Sequence, residues 1–127
     1  MPVIHLDTNF LILAVSRDSL ESRKIDKWLS EERELGLSAV AWTEFQCGPV
    51  SDRAIHAAAL LTGKPVAFDG LDAVTASGLF NFGGRRRNSI VDCMIAAVTI
   101  RSGAALATNN LRDFERFVPF GLDLETP

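Results

Sequence analysis

Four short apolar runs constrain this chain more than any other feature: Val3–Leu6, Leu35–Ser38, Pro65–Phe68 and Ala104–Ala107. Each ends at a polar or turn residue. Helical patterns, not hairpin turns, separate each run from the next. Runs that are apolar throughout, rather than alternating, suit strands covered on both faces. Repeated alternation of strand and helix demands crossover connections and a mainly parallel sheet. The expected class is therefore α/β, a three-layer α/β/α sandwich around a mainly parallel central sheet of four to five strands, with Phe117–Phe120 as an edge strand. Between them the helical segments are Phe10–Val15, Ser19–Arg33, Ala39–Cys47, Asp52–Thr62, Leu71–Phe82, Ser89–Ser102 and a short one opened by Thr108-Asn109-Asn110 and running through Arg116. The pattern is strongest over Ser89–Ser102, where Ile90, Met94, Ala97, Val98 and Arg101 share one side and Gly103 supplies the stop.

With 127 residues, 47% of them apolar, the chain can build a core, and no repeat, low-complexity tract or linker divides it. A single domain spanning 1–127 is expected. No apolar run approaches the ~20 residues that cross a bilayer, so no membrane association is expected. Met1-Pro2-Val3-Ile4-His5 lacks the basic start of a secretory signal. The two cysteines, Cys47 and Cys93, have no metal-ligand or redox spacing, which excludes a disulfide framework and fits a reducing, cytoplasmic setting. His5 and His56 show no partner pattern and read as structural.

The net charge of −3 argues mildly against a protein that simply coats nucleic acid. It would mislead if several acids were gathered in one pocket, because setting four aside leaves 12 acids against 13 bases. The positions of the acids make this a real possibility. In an open parallel sheet ligands bind beyond the carboxyl ends of the strands. Asp7 follows the first run, Glu44 lies in the helix after the second, Asp92 is in the first turn of the long helix, and Thr108, Asn110 and Asp113 follow the fourth. Each also has a purely structural reading. Asp7 can cap a helix, and Ser89-x-x-Asp92 and Asn110-x-x-Asp113 have capping-box spacing. Glu44 stands among Trp42, Thr43 and Phe45, where a buried carboxylate needs a partner. Carboxylates crowded together raise one another's pKa, and a hard cation such as Mg²⁺ or Mn²⁺ relieves that conflict. A water on such a cation can attack a phosphodiester.

The segments Leu6-Asp7-Thr8-Asn9, Thr43-Glu44-Phe45, Asp92-Cys93-Met94-Ile95-Ala96-Ala97 and Ala107-Thr108-Asn109-Asn110-Leu111-Arg112-Asp113-Phe114 stand in an order and at spacings that resemble the PIN-domain ribonucleases, VapC-type toxins in particular. The likeness covers nearly the whole chain. It implies a PIN-like α/β/α domain with Mg²⁺-dependent endoribonuclease activity, Mn²⁺ being possible, and in-line attack by a metal-bound water. By position, it implies Asp7 and Asp92 as principal metal ligands, Glu44 completing the pocket and orienting the water, and Asp113 as a fourth acid where Asn110 is neutral. Thr108 and Asn110 would position the water or the scissile phosphate. The same resemblance implies a homodimer, a cognate VapB-like antitoxin and an RNA substrate.

Arg85-Arg86-Arg87 lies in a Gly-rich loop just before the helix bearing Asp92, where Arg85 and Arg86 are candidates for phosphate contact. A solvated charge run is the plain alternative. Three rival functions use the same residues. A non-catalytic PIN-like module would bind RNA or antitoxin without turnover. A receiver-like phospho-acceptor domain would use Asp7, Asp69 and Thr108, but the chain has no Lys beyond Lys64 and no paired acid near the first strand. A phosphohydrolase with Asp7 as nucleophile would need an acid where Asn9 stands. The Ala-rich stretch Ala54–Leu61 fits either core or a dimer contact.

Overall fold

The computed structural model describes residues 2–125; residues 1, 126 and 127 lie outside it. Four strands form one wholly parallel sheet in the order β2-β1-β3-β4, with β1 at Ile4–Leu6, β2 at Leu35–Gly36, β3 at Ala105–Ala107 and β4 at Asp123–Leu124. Every residue of β1 and β3 is buried, as expected for strands covered on both faces. On β1, Ile4 and Leu6 face one way and His5 the other. The helices are α1 (Thr8–Ala14), α2 (Leu20–Ser30), α3 (Ala39–Cys47), α4 (Asp52–Thr62), α5 (Gly70–Phe82), α6 (Ile90–Arg101) and α7 (Leu111–Glu115). The α/β/α reading of the sequence therefore holds.

Hydroxyls at the helix starts set several boundaries. Ser19, Ser38 and Ser51 each accept a hydrogen bond from a backbone N–H three residues on, which satisfies a donor that the first turn leaves free. Asp69 and Asp72 form a reciprocal capping box at the start of α5. Asp72 is fully buried and meets Arg101 of α6 through two hydrogen bonds of 2.8 and 2.9 Å, while Arg101 also donates to the Ala67 carbonyl at 2.7 Å. Burial alone would raise the Asp72 carboxyl, but the bonds and charge of Arg101 with the Asp69 amide hold it below the usual range. These contacts tie α5 to α6.

Two expected strands are not strands. Pro65–Phe68 makes a single parallel bridge, Ser38 to Val66. Pro65 has no N–H to give a ladder, and the Ala67 carbonyl is taken by Arg101, so only the two bonds of Val66 remain. Phe117–Phe120 is instead a turn of 3₁₀ helix over Val118–Phe120, with Pro119 in it. Phe117 is buried edge-on against Phe114, ring centroids 6.1 Å apart. The chain then reverses at Gly121, whose φ of 109° favours glycine. The edge strand is β4 just beyond, at Asp123–Leu124.

Among the described residues no helix is long and apolar enough to cross a membrane. Cys47 is exposed and Cys93 buried, and both are free. In α4, Ala58 and Thr62 are buried while Leu60 is exposed, so the Ala-rich stretch contributes partly to the core.

Candidate active site

Strand order dictates where the site lies. From β1 the chain goes to β2 on one side, while β3 pairs on the other side and leads out to β4. The carboxyl ends of β1 and β3 therefore flank the switch point, where the loops diverge and leave a crevice. Asp7 and Thr108 are the residues that follow those two strands.

Asp7 continues the ladder, its N–H donating to the Ala107 carbonyl at 3.0 Å, and its extended backbone makes it the N-cap of α1. Both carboxylate oxygens are held. Oδ1 accepts from the Thr8 N–H at 2.8 Å, and Oδ2 accepts from the Thr108 hydroxyl at 2.8 Å. The capping reading of Asp7 is thus correct and does not compete with a site role, because each oxygen keeps a further lone pair. Thr108 Oγ1 in turn accepts the Asn110 N–H at 2.9 Å, fixing the start of the segment that carries Asp113. Thr8 turns its hydroxyl the other way and donates to Glu44 Oε1 at 2.5 Å. One threonine therefore links Asp7 on the sheet to Glu44 on α3. Thr8 escaped the sequence reading, although it stands in the D-T-N triplet.

Glu44 corrects an expectation. It lies exposed on α3, not buried among its apolar neighbours, since Ala41 and Phe45 take the inward positions. The capping readings of Asp92 and Asp113 fail: neither Ser89 nor Asn110 makes a side-chain cap bond, and the Ser89 hydroxyl donates to the Arg86 carbonyl instead. Asp92 therefore has no hydrogen-bonding duty in its own helix among the described residues. It lines a cleft of about 200 Å³ together with Arg86, Arg87, Ser89, Asp113 and Arg116. Arg85 turns away, donating to Asn81 and lying over the Phe80 ring with its guanidinium carbon 5.3 Å from the centroid.

The four acids sense one another. Burial pushes the Asp7 carboxyl above its ordinary value, against the hydrogen bonds from Thr108 and Thr8, and the charges of Glu44 and Asp113 push it further up. Asp92 is pushed up to about 6, first by burial and then by the charges of Asp7, Asp113 and Glu44, with Arg116 opposing. Among the described residues, the cation paired with any of the four is Arg86, whose Nη2 is 3.7 Å from Asp113. Asp7, Glu44 and Asp92 have none. Among the described residues no three of the acids converge as a ready-made ligand group. Mg²⁺ needs only one or two carboxylates directly and keeps several waters for the rest. The donor set is all hard oxygen, as such an ion needs, although Arg86, Arg87 and Arg116 share the cleft with Asp92 and Asp113.

Two other candidates fall outside the site. Asp69, the acceptor that a receiver-like domain would need, is committed to the capping box and lies 3.8 Å from Arg101. His5 is buried beneath α6 with Nδ1 3.4 Å from the Thr99 hydroxyl, and burial lowers its pKa to about 4. His56 is exposed on α4.

The PIN domain family model matches residues 4–118, a span that contains Asp7, Glu44, Asp92 and Asp113. The chain belongs to the PIN domain family. This PIN domain is similar in structure to VapBC2 from Rickettsia felis bound to a DNA fragment from its promoter, with TM-score 0.78, 20% identity and 97% of each chain covered. It is similar to FitAcB from Neisseria gonorrhoeae, with TM-score 0.72, 18% identity and 98% of each chain covered. DNA-bound VapBC from Salmonella typhimurium aligns with TM-score 0.70, 25% identity and 98% coverage of both chains. No curated protein sequence matches it. At these identities the structural likeness establishes the PIN fold, and function has to be argued from the site.

Proposed function

We propose that this chain, as a single PIN-like domain over 1–127, is a metal-dependent endoribonuclease and the toxin half of a VapBC-type pair. The observation that carries the reading is a set of carboxylates near the switch point whose charges act on one another, Asp7, Asp92 and Glu44, none of them ion-paired among the described residues, with Asp113 beside Asp92 in the cleft. Nuclease chemistry is the general property of PIN domains. The VapBC neighbours support a VapB-like antitoxin as partner; an RNA substrate, a homodimeric assembly and a cytoplasmic setting belong to the same proposal.

Each residue has a task that its contacts suit. Asp7 and Asp92 hold the cation, Asp7 in an orientation fixed from two sides by Thr8 and Thr108. When bound there, a Mg²⁺ or Mn²⁺ ion would supply charge stabilisation at phosphorus and a more acidic water. Glu44, held by Thr8, orients the attacking water in line with the leaving oxygen and takes its proton. Asp113 supports the pocket from α7, and Thr108 and Asn110 position the scissile phosphate. Arg86 supplies charge for the RNA backbone beside the cleft, whereas Arg85, turned onto Asn81 and Phe80, does not face it.

The test is cleavage. The purified chain should cut RNA with Mg²⁺ or Mn²⁺ and not with a chelator. Sequencing of RNA ends after brief expression should show cuts in the parent that are absent from Asp7→Asn. Full activity in a folded Asp7→Asn chain refutes the assignment. Binding of RNA or antitoxin without turnover in the parent would instead identify a non-catalytic module.

A further inference from the structure

Arg116 ends α7 and lines the same cleft as Asp92 and Asp113. Its guanidinium carbon lies 4.5 Å from the centroid of the buried Phe117 ring, so the side chain is held by stacking. Its Nε and Nη1 are closed off from solvent and have no hydrogen-bond partner among the described residues. Buried donors left unmet are costly, more so when charged, and a protein rarely keeps them without a use. The acids do not meet the need. Arg116 forms no ion pair with Asp92 or Asp113 among the described residues, and Asp113 faces Arg86. Yet Arg116 is near enough for its charge to pull the Asp92 carboxyl down. Nη2 is the one guanidinium nitrogen not shut off in this way.

We infer that Arg116 is a phosphate-positioning residue: its guanidinium takes a non-bridging oxygen of the RNA backbone beside the acidic pocket. This rests on the nuclease reading. The physical case is pre-organisation. Arg86 is a solvated contact, about half exposed and paired at 3.7 Å, and must give up water and Asp113 to meet a phosphate. Arg116 is already oriented and partly stripped of water, so an anion arriving at it meets a charge that solvent screens little. The nitrogen such an anion meets is Nη2, the one left open. The cleft thus holds a fixed cation beside Asp92 and Asp113, and a phosphate oxygen at Nη2 would lie next to the carboxylates that a divalent ion screens.

The experiment measures binding of a single-stranded oligonucleotide across a KCl series at fixed Mg²⁺, in the Asp7→Asn background so that nothing is cut. Arg116→Met keeps the stem over Phe117 and removes the charge; Arg116→Lys restores the charge without the plane. The expected result for Arg116→Met is about tenfold weaker binding at low salt, with the slope of log affinity against log salt reduced by about 0.7. Arg116→Lys should recover the slope and only part of the affinity. In the active chain, Arg116→Met should raise KM, with a smaller loss in kcat. An unchanged salt slope in Arg116→Met, whatever its Tm, overturns the inference and leaves the nuclease reading standing. Failure of the folded Asp7→Asn chain to bind RNA at all overturns both.

Discussion

Asp92→Asn should make the metal-free protein more stable while destroying the proposed activity. The Asp92 carboxyl is pushed up to about 6 by burial and by Asp7, Asp113 and Glu44, against 3.8 for an ordinary aspartate. The difference corresponds to an upper bound of about 3 kcal/mol of destabilisation at pH 7. Asp92 is only partly buried, so screening reduces this to about 1–2 kcal/mol. Asparagine has the same shape, carries no charge and breaks no hydrogen bond, since the Asp92 side chain has none among the described residues. A chain of this size should gain roughly 4–8 °C in Tm. The sign with pH follows from the raised folded pKa. The folded parent binds a proton more readily than the unfolded chain, so its handicap is complete above about pH 6 and fades towards pH 4. Urea unfolding of both proteins in chelator, from pH 4 to 8, should show an advantage for Asp92→Asn that is full at pH 7 and gone near pH 4. Saturating Mg²⁺ should then reverse the ranking, because ligand held 100-fold above its Kd adds about 2.7 kcal/mol to the parent. A difference that is absent at pH 7, or independent of pH, would show that the carboxylates do not share one field.

Other outcomes follow from named contacts. Thr108→Val leaves Asp7 Oδ2 unmet and should lower cleavage about 10–100-fold, read as kcat/KM, with a stability loss of about 1–2 kcal/mol by urea unfolding. His5, held to a pKa of about 4, stays neutral when folded but protonates near 6.5 once unfolded, so about 3 kcal/mol of stability present above pH 6.5 is lost as the pH falls to 4. His5→Leu should remove that acid sensitivity, and an NMR titration of the ring would check its cause. Replacing Arg85 and Arg86 together by alanine should weaken RNA binding and flatten its salt dependence. Because Arg85 is engaged with Asn81 and Phe80, most of that loss should appear in Arg86→Ala alone.

Local chemistry made much of this molecule readable in its sequence. The runs at Ile4–Leu6 and Ala105–Ala107 are buried on both faces, His5 included, as a covered parallel strand requires. The long α6 pattern, with a good stop at Gly103, was equally plain. Pro65–Phe68 and Phe117–Phe120 misled because composition does not report whether a ladder has donors or whether a phenylalanine prefers a neighbouring ring to a sheet edge. The acids could be nominated because strand ends are where a parallel sheet presents its ligands. Their supports were hidden: the partner of Asp7 lies 101 residues away, and Thr8 reaches Glu44 across 36. Nothing in the spacing of Arg116 distinguishes it from any solvated arginine. Its character comes from the burial of Phe117 beneath it.

Asp7 gives its amide to β3 and its carboxylate to the residue after β3. Asp7 is thereby sewn into a seam of the sheet itself, whereas the cleft that holds Asp92 is lined by the Arg86 loop, the start of α6 and the short α7. Moving Asp7 means unzipping the molecule, so the Asp7 amide should exchange its hydrogen only as fast as the whole chain unfolds. Any adjustment that the proposed substrate demands falls to the loop and α7, not to Asp7.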